Sequence, residues 1–509
     1  MSLSDGSQSF SKLRAFFWPI HRSELKKFLP LLLISFLLTF GYNVLRPLKD
    51  TFVITASDSG AEVIPFIKVW AMFPVSLLLT YIYVRVSNRF SRENVFYIMF
   101  SIFLGFFFLF AFVLYPVREQ LHAHKSADML LTYLPVGCKG FVAMYRYWIF
   151  TLFYVMSELW SNIISALLLW GFLNQVTRLD EARRFYGLFG LGINFSGVAS
   201  GQISIFIAKF SNNTALFCDD PWGQSMTILV SLVLISGFLT IAMFRWLNSS
   251  VLSNEEKRDT FQNTPEKKKF SMRENIRYVL TSRYVMSIAL IIIAYNLVIN
   301  LVEVLWKHEV AILYPNPLEY NTYMNHITSI IGVIATLTAI FVSGNAIRKF
   351  GWTFTAMLTP LVLLFTSIGF FGFFFAKDMP ELTSYFLGMA PLNLVVVFGS
   401  LQNCLSRAAK YTVFDATKEM AFIPLSESEK IKAKAAVDGV CNRLGKSAGS
   451  VIYNVLLVTF ASITASVPYV AIALFIAIFL WMFCVKTLGK RFDEMSGVRN
   501  TSPALGIAT

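Results

Sequence analysis

Apolar stretches about as long as a bilayer is thick recur along this sequence, and nothing else in it limits the fold so tightly. A helix crossing the hydrocarbon core needs about 20 mostly apolar residues, with a range of roughly 17–25. Windows of that kind begin near Phe28, Ile64, Val95, Tyr147, Phe185, Met226, Tyr284, Tyr323, Trp352, Leu382, Ala435 and Ser462, which makes twelve. Composition excludes a soluble alternative: 56% of residues are hydrophobic and only 15% charged, against about 25% charged in a soluble domain. The expectation is an all-α polytopic membrane protein whose main surface partner is lipid.

Between the sixth and seventh windows lies the longest strongly polar stretch, holding Glu255 to Asp259 and then Lys267, Lys268 and Lys269. It divides the chain near its midpoint. The expected organisation is a cytoplasmic N-terminus at 1–27, a six-helix half at 28–247, a charged cytoplasmic linker at 248–282, a second six-helix half at 283–488 and a cytoplasmic tail at 489–509. Basic residues of short loops mark the cytoplasmic side. Even-numbered connections hold Arg85, Arg89 and Arg92; Arg178, Arg183 and Arg184; Arg348 and Lys349; and Lys430, Lys432 and Lys434. Odd-numbered ones are poorer in base, except the second, with Arg118, Lys125 and Lys139. Most of the net charge of +14 is therefore read as topology, with both termini cytoplasmic, rather than as a nucleic-acid surface. The basic first residues lead into a charged helix, so neither a signal peptide nor a plastid transit peptide is expected.

The halves echo one another. The loop Arg85-Val-Ser-Asn-Arg89-Phe-Ser-Arg92 and its counterpart Gly344-Asn-Ala-Ile-Arg348-Lys349-Phe-Gly351 both resemble the short basic loop of major facilitator transporters. Paired six-helix halves of that kind imply a major-facilitator-like fold with a site near the midplane between the halves.

Charge inside a span costs about 2.5–3.5 kcal/mol on insertion scales, so its presence points to function. Arg46, Lys49 and Asp50 share a face of span one; Glu158 stands among serines of span four; Asn296, Asn300 and Glu303 form a stripe on span seven. Span eleven carries Arg443, Ser447, Ser450 and Asn454, with Lys446 beside them. These stripes are expected to face a wet cavity, because lipid does not tolerate them. Structural ion pairing is the plainer reading, strongest for Asp50, Lys68 and Lys307 near span ends. The excess of bases suits a polyphosphate better than a monocarboxylate.

Two patterns are set aside. Gly439, Gly445, Lys446 and Ser447 imitate a phosphate-binding loop with one residue too many between the glycines, and they lie in an apolar helix. The glycines of span five (Gly187, Gly190, Gly192, Gly197 and Gly201) fit close helix packing better than a dinucleotide turn. The five Cys show no metal or redox spacing, although Cys138 and Cys218 fall on one expected side and could pair. Scattered His and the lack of a nucleophile arrangement argue against an enzyme, and neither cofactor nor metal is expected.

At Leu45-Arg-Pro-Leu-Lys-Asp-Thr51 the chain resembles the bacterial and plastid nucleotide transporters of the ATP:ADP antiporter family. Four further stretches carry the likeness: Ser157-Glu-Leu-Trp160; Arg184 to Asn194; Asn300-Leu-Val-Glu-Val-Leu-Trp-Lys307; and Arg443-Leu-Gly-Lys-Ser447. The short N-terminus is similar to the form in obligate intracellular bacteria such as chlamydiae, and the motifs of the mitochondrial carrier are absent. The resemblance implies exchange of host ATP for bacterial ADP across the inner membrane. It also implies importance for Lys49, Glu158, Glu303 and Lys446. Inorganic phosphate is a candidate companion cargo, and a proton-coupled nucleotide importer is the alternative.

On this reading Arg46 and Lys49 from the first half, with Lys446 and Arg443 from the second, hold the phosphates of a monomeric carrier. Tyr154, Trp160, Phe185 and Phe189 are candidates to stack adenine, and Asn194 to read its edge. Lys49→Gln and Lys446→Gln are both expected to keep near-normal stability in the empty protein and to lose stabilisation by ATP.

Overall fold

A computed structural model describes residues 18–177, 179–216, 219–251, 272–341, 345–377, 379 and 389–501 of the 509. No strand occurs among the described residues, as expected where each backbone polar group must be satisfied within its own segment. The long helices of the first half are α1 (Leu25–Ile54), α2 (Val63–Arg89), α3 (Arg92–Leu109, continued by Phe110–Leu114), α4 (Trp148–Leu159, continued by Trp160–Leu169 and Trp170–Val176), α5 (Leu179–Asn213) and α6 (Pro221–Val251). Those of the second are α7 (Arg283–Leu313), α8 (Pro317–Phe341), α9 (Asn345–Ala376, interrupted at Gly351), α10 (Pro391–Ala409, continued by Lys410–Phe414 and Asp415–Ala421), α11 (Glu427–Ala436, continued by Val437–Cys441 and Asn442–Phe460) and α12 (Ile463–Thr501).

Local chemistry starts several of these helices. Ser91 caps α3 by accepting from the Asn94 amide, and Ser282 caps α7 by accepting from Val285. Asp220 caps α6 just before Pro221, and Ser426 and Glu429 form a capping box at the head of α11. Each cap satisfies amides that the helix itself leaves unpaired.

Nine helices among the described residues are long and apolar enough to cross a membrane. α8, α10 and α11 stand at the eighth, tenth and eleventh expected windows but fall short of that test. The reason is polar content directed inward: Asn321 and Asn325 on α8 and Gln402 and Asn403 on α10 are buried, while α11 carries Arg443 and Lys446. The expected start near Leu382 lies outside the described residues, and α11 begins earlier than the expected Ala435.

The halves repeat one packing plan. α1 lies against α4, α5 and α6, and α7 lies against α10, α11 and α12. They meet along two matching seams, α5 on α8 and α11 on α2. At the first seam a Cβ on Gly201 would collide with Ser329 and the Asn325 carbonyl, and one on Gly332 would come within 2.9 Å of Val198 and the Asn194 carbonyl. Small residues let these backbones pack directly. Gly197 and Gly201 thus serve the packing role expected of them, whereas Gly187 and Gly190 have open space around them. Gly201→Leu is expected to destabilise the protein by about 1–3 kcal/mol through overpacking, read as a lower melting temperature with unchanged helix content.

Candidate functional site

Asp50 stands at the centre of a buried chain of charges. Its Oδ1 accepts from the Lys49 ammonium at 2.9 Å and its Oδ2 from Lys307 at 2.8 Å. Lys49 also reaches Glu158 Oε1 on α4 at 3.1 Å. Lys307 pairs one turn back with Glu303 at 3.0 Å, and Arg407 on α10 closes on the same Glu303 oxygen at 3.3 Å. The signs alternate from Glu158 through Lys49, Asp50, Lys307 and Glu303 to Arg407, and the chain crosses between the halves at Asp50–Lys307. A second link across the halves runs from Lys68 on α2 to Asn300 Oδ1 on α7 at 2.7 Å.

The sequence builds this locally. Lys49 and Asp50 are neighbours on a helix, so their side chains diverge by about 100°, one toward α4 and the other toward α7. Pro47 has no backbone N–H to donate, and its carbonyl accepts from the Thr51 hydroxyl at 2.9 Å. Wide-turn (π) stretches adjoin the charged positions: Lys68 lies within Ile67–Met72, Glu158 just before Trp160–Leu169, and Arg407 just before Lys410–Phe414. Such stretches commonly mark functional positions in helices.

The middle of the chain is sealed and its ends are not. Lys49, Asp50 and Lys307 side chains are at most 3% exposed, while those of Glu158 and Glu303 are 24% and 16% exposed. Arg46 and Lys68 lie in the electrostatic field of Glu303, and Lys446 in that of Glu158. Bases therefore exceed acids around the network. Ser157 Oγ, Tyr320 Oη, Asn321 Nδ2, Arg407 Nε and Asn454 Oδ1 are buried without a hydrogen-bond partner among the described residues. Leaving such atoms unpaired is costly, so this region suits a polar ligand. Beside it a cavity is lined by Arg46, Trp306, Met324, Ile327, Asn403 and Arg407.

The expected site residues separate into two groups. Arg46, Lys49, Glu158 and Glu303 come together, and Tyr154 joins them with its ring 4.0 Å beneath the Lys49 ammonium. Arg443 and Lys446 are exposed on α11. Trp160, Phe185 and Phe189 do not reach the network. Trp160 is sealed among Phe100, Phe103 and Phe107 and donates to the Leu38 carbonyl. Phe185 and Phe189 pack on Phe28 at the opposite end of α1, about 30 Å from Lys49 at 1.5 Å per residue. Asn194 lies at the α5–α8 seam, its carbonyl against Gly332.

The polar stripe on α7 also differs from expectation. Asn296 and Asn300 are buried against Gly445 and Gly449 of α11, with Asn296 donating to Asn442. They join helices rather than line a wet cavity. Asp50 and Lys307 do form an interhelical ion pair, yet it is the centre of the site rather than an edge feature. Arg407, which the sequence reading passed over, was detectable as a lone charge in an apolar window. Cys138 is a free thiol, and Cys218, its suggested partner, lies outside the described residues. Gly439, Gly445 and Lys446 are helical, as expected for a mere imitation of a phosphate loop.

The halves close together at the end bearing the first and third connections. A Cβ on Gly137 would collide with the backbone of Leu457 and Val458 on α11, and Asn454 donates to the Pro65 carbonyl. Toward the other end Arg443, Lys446 and Ser447 are exposed. The network thus sits beneath a closed end.

The profile of the TLC ATP/ADP transporter family matches residues 3–492. "ADP,ATP carrier protein 2" of Chlamydia pneumoniae is 43% identical over 495 residues, covering 95% of this chain and 92% of that protein. "ADP,ATP carrier protein 1" of Chlamydia trachomatis is 43% identical over 505 residues, covering 98% and 95%. "ADP,ATP carrier protein 1, chloroplastic" of Arabidopsis thaliana is 38% identical over 475 residues, covering 93% and 75%. Among solved structures, the inward open conformation of the xylose transporter XylE from E. coli aligns with a TM-score of 0.51 at 14% identity, covering 93% of this chain and 99% of that one. That likeness shows the fold alone, which is the major-facilitator fold.

Proposed function

The chain belongs to the TLC ATP/ADP transporter family, and from that premise we propose that it exchanges host ATP for bacterial ADP across the bacterial inner membrane. The observation that carries this reading is the excess of bases around a sealed chain of alternating charge. Lys49, Lys307 and Arg407 are held by Asp50, Glu158 and Glu303, while Arg46, Arg443, Lys446 and Lys68 add further positive charge. Phosphate oxygens form strong charge-assisted bonds with such groups.

Bound nucleotide enters past the partly exposed Glu158 and Glu303 and competes with them for the buried Lys49 and Lys307. Phosphates drawn between Lys49 and Lys446 bridge the halves and loosen the Asp50–Lys307 link, and the halves then rock about their seams. An empty carrier lacks the anion that balances the surplus bases, so its crossing is disfavoured and exchange results. Because the Tyr154 ring already serves Lys49, the base is accommodated beside Arg46 and Arg407, with Met324 and Ile327 as an apolar wall. Exchange of ATP⁴⁻ for ADP³⁻ moves one net charge, worth about 2.3 kcal/mol per 100 mV. The basic even-numbered connections and both termini face the cytoplasm, and the carrier acts as a monomer.

Proton-coupled nucleotide import is the second reading, favoured by Glu309. This residue is 1% exposed, neither of its carboxylate oxygens has a hydrogen bond, and Lys377 stays 3.9 Å away. A buried carboxyl without hydrogen bonds is costly to hold, which makes Glu309 the proton-carrying group of this second reading. Proteoliposomes distinguish the two. Labelled ATP uptake that requires internal ADP supports exchange. Uptake into nucleotide-free vesicles driven by a pH gradient, and lost in Glu309→Gln, supports import.

A further inference from the structure

The connection between α3 and α4 holds a group of residues that nucleotide exchange does not use. We propose that Glu119, His122 and His124 form a binding site for a divalent transition metal of the zinc type. One ligand atom from each lies within 4.8 Å of those from the other two. The His122 imidazole is only 7% exposed, and neither of its ring nitrogens has a hydrogen bond among the described residues. A buried imidazole normally finds at least one partner, so this ring is aimed at something the protein does not supply. Its surroundings fix its orientation, with the rings of Tyr147 and Phe150 meeting it nearly edge-on at 4.9 and 4.8 Å.

The donor set selects the ion. Two imidazoles and one carboxylate suit zinc-like ions, whereas magnesium and calcium prefer oxygen donors. Bonds to zinc of about 2.0–2.2 Å require modest closure from the present geometry, where His124 Nε2 is 3.9 Å from Glu119 Oε2. Glu119 is the most exposed member and gives the ion a route in. Arg118 lies 3.5 Å from the other Glu119 oxygen, leaving one oxygen for the metal, and water completes the coordination. This ligand loop is tied to the start of α4: Ala123 donates to the Arg146 carbonyl and the Trp148 indole to the Leu121 carbonyl. α4 carries Tyr154 and Glu158, so a bound ion clamps the outer end of the helix that positions them.

Isothermal titration of the tag-free, purified full-length protein with zinc chloride tests this, because the readout is binding rather than transport and does not depend on the nucleotide reading. One ion per chain is expected, together with a visible cobalt absorption band when cobalt(II) replaces zinc. Loss of even supporting groups weakens metal sites about 10–100-fold, so His124→Ala and His122→Ala are each expected to lose at least about tenfold in affinity. Glu119→Gln is expected to weaken binding in the same direction. Because His122 is buried and its variant can fail to fold, the half-exposed His124 and the exposed Glu119 carry the decision. Unchanged zinc affinity in His124→Ala and Glu119→Gln would overturn the assignment, since the ion would then be held elsewhere. Failure of the wild-type chain to bind zinc stoichiometrically would overturn it as well.

Discussion

Lys49→Gln is expected to melt below the wild-type protein even with no nucleotide present. Its ammonium is the only group that joins Asp50 to Glu158 among the described contacts, and it is 2% exposed. Removing one partner of a buried ion pair costs about 3–5 kcal/mol, because the other charge remains buried without compensation. Asp50 keeps Lys307, so a loss near the lower end of that range is expected. This differs from the expectation drawn from the sequence, in which Lys49 held the phosphates and its loss left the empty protein near its normal stability. Scanning fluorimetry without ligand decides between them. An unchanged melting temperature would show that the Lys49 pairings contribute no net stability. Transport by the variant is also expected to fail, since the phosphates lose a cation.

Lys446→Gln behaves in the opposite manner. Lys446 is exposed on α11 and lies in the field of Glu158, so its replacement is expected to cost the empty protein less than loss of the buried Lys49. Hydrogen bonds to charged groups contribute about 1.5–3 kcal/mol, which corresponds to roughly a ten- to more than hundredfold weaker ATP affinity. The stabilisation conferred by ATP should shrink accordingly. Undiminished stabilisation in Lys446→Gln would remove this residue from the phosphate contacts. Together the two variants separate a charge that builds the site from one that greets the ligand.

The spans were legible because a bilayer imposes a length, and Arg46, Lys49, Glu158 and Glu303 were legible because lipid excludes charge. What the sequence hid was pairing. Asp50 and Lys307 looked peripheral from their positions near helix ends, yet α1 and α7 bring those ends together, with the two side chains paired at 2.8 Å beneath the closed end. Phe185, Phe189 and Trp160 were overrated because aromatic residues are abundant here, with 50 Phe in the chain, and their type carries no information about which side of a helix is wet. The Asn296 and Asn300 stripe was expected to face a wet cavity, but a neighbouring helix meets a polar side chain's need as well as water does. Only the glycines of α11 hinted at so close a neighbour.

The alternation of charge from Glu158 to Arg407 also constrains how this transporter can change over generations. A substitution at Asp50 takes one of two acidic partners from both Lys49 and Lys307, and one at Glu303 takes a partner from both Lys307 and Arg407. Residues that share partners in this way show strong mutational coupling. Such a chain drifts in neutral pairs, one acid together with one base, rather than by single steps. Engineering a carrier with a different substrate charge would therefore begin with double substitutions, and a scan of single alanines would assign the same interaction to two residues.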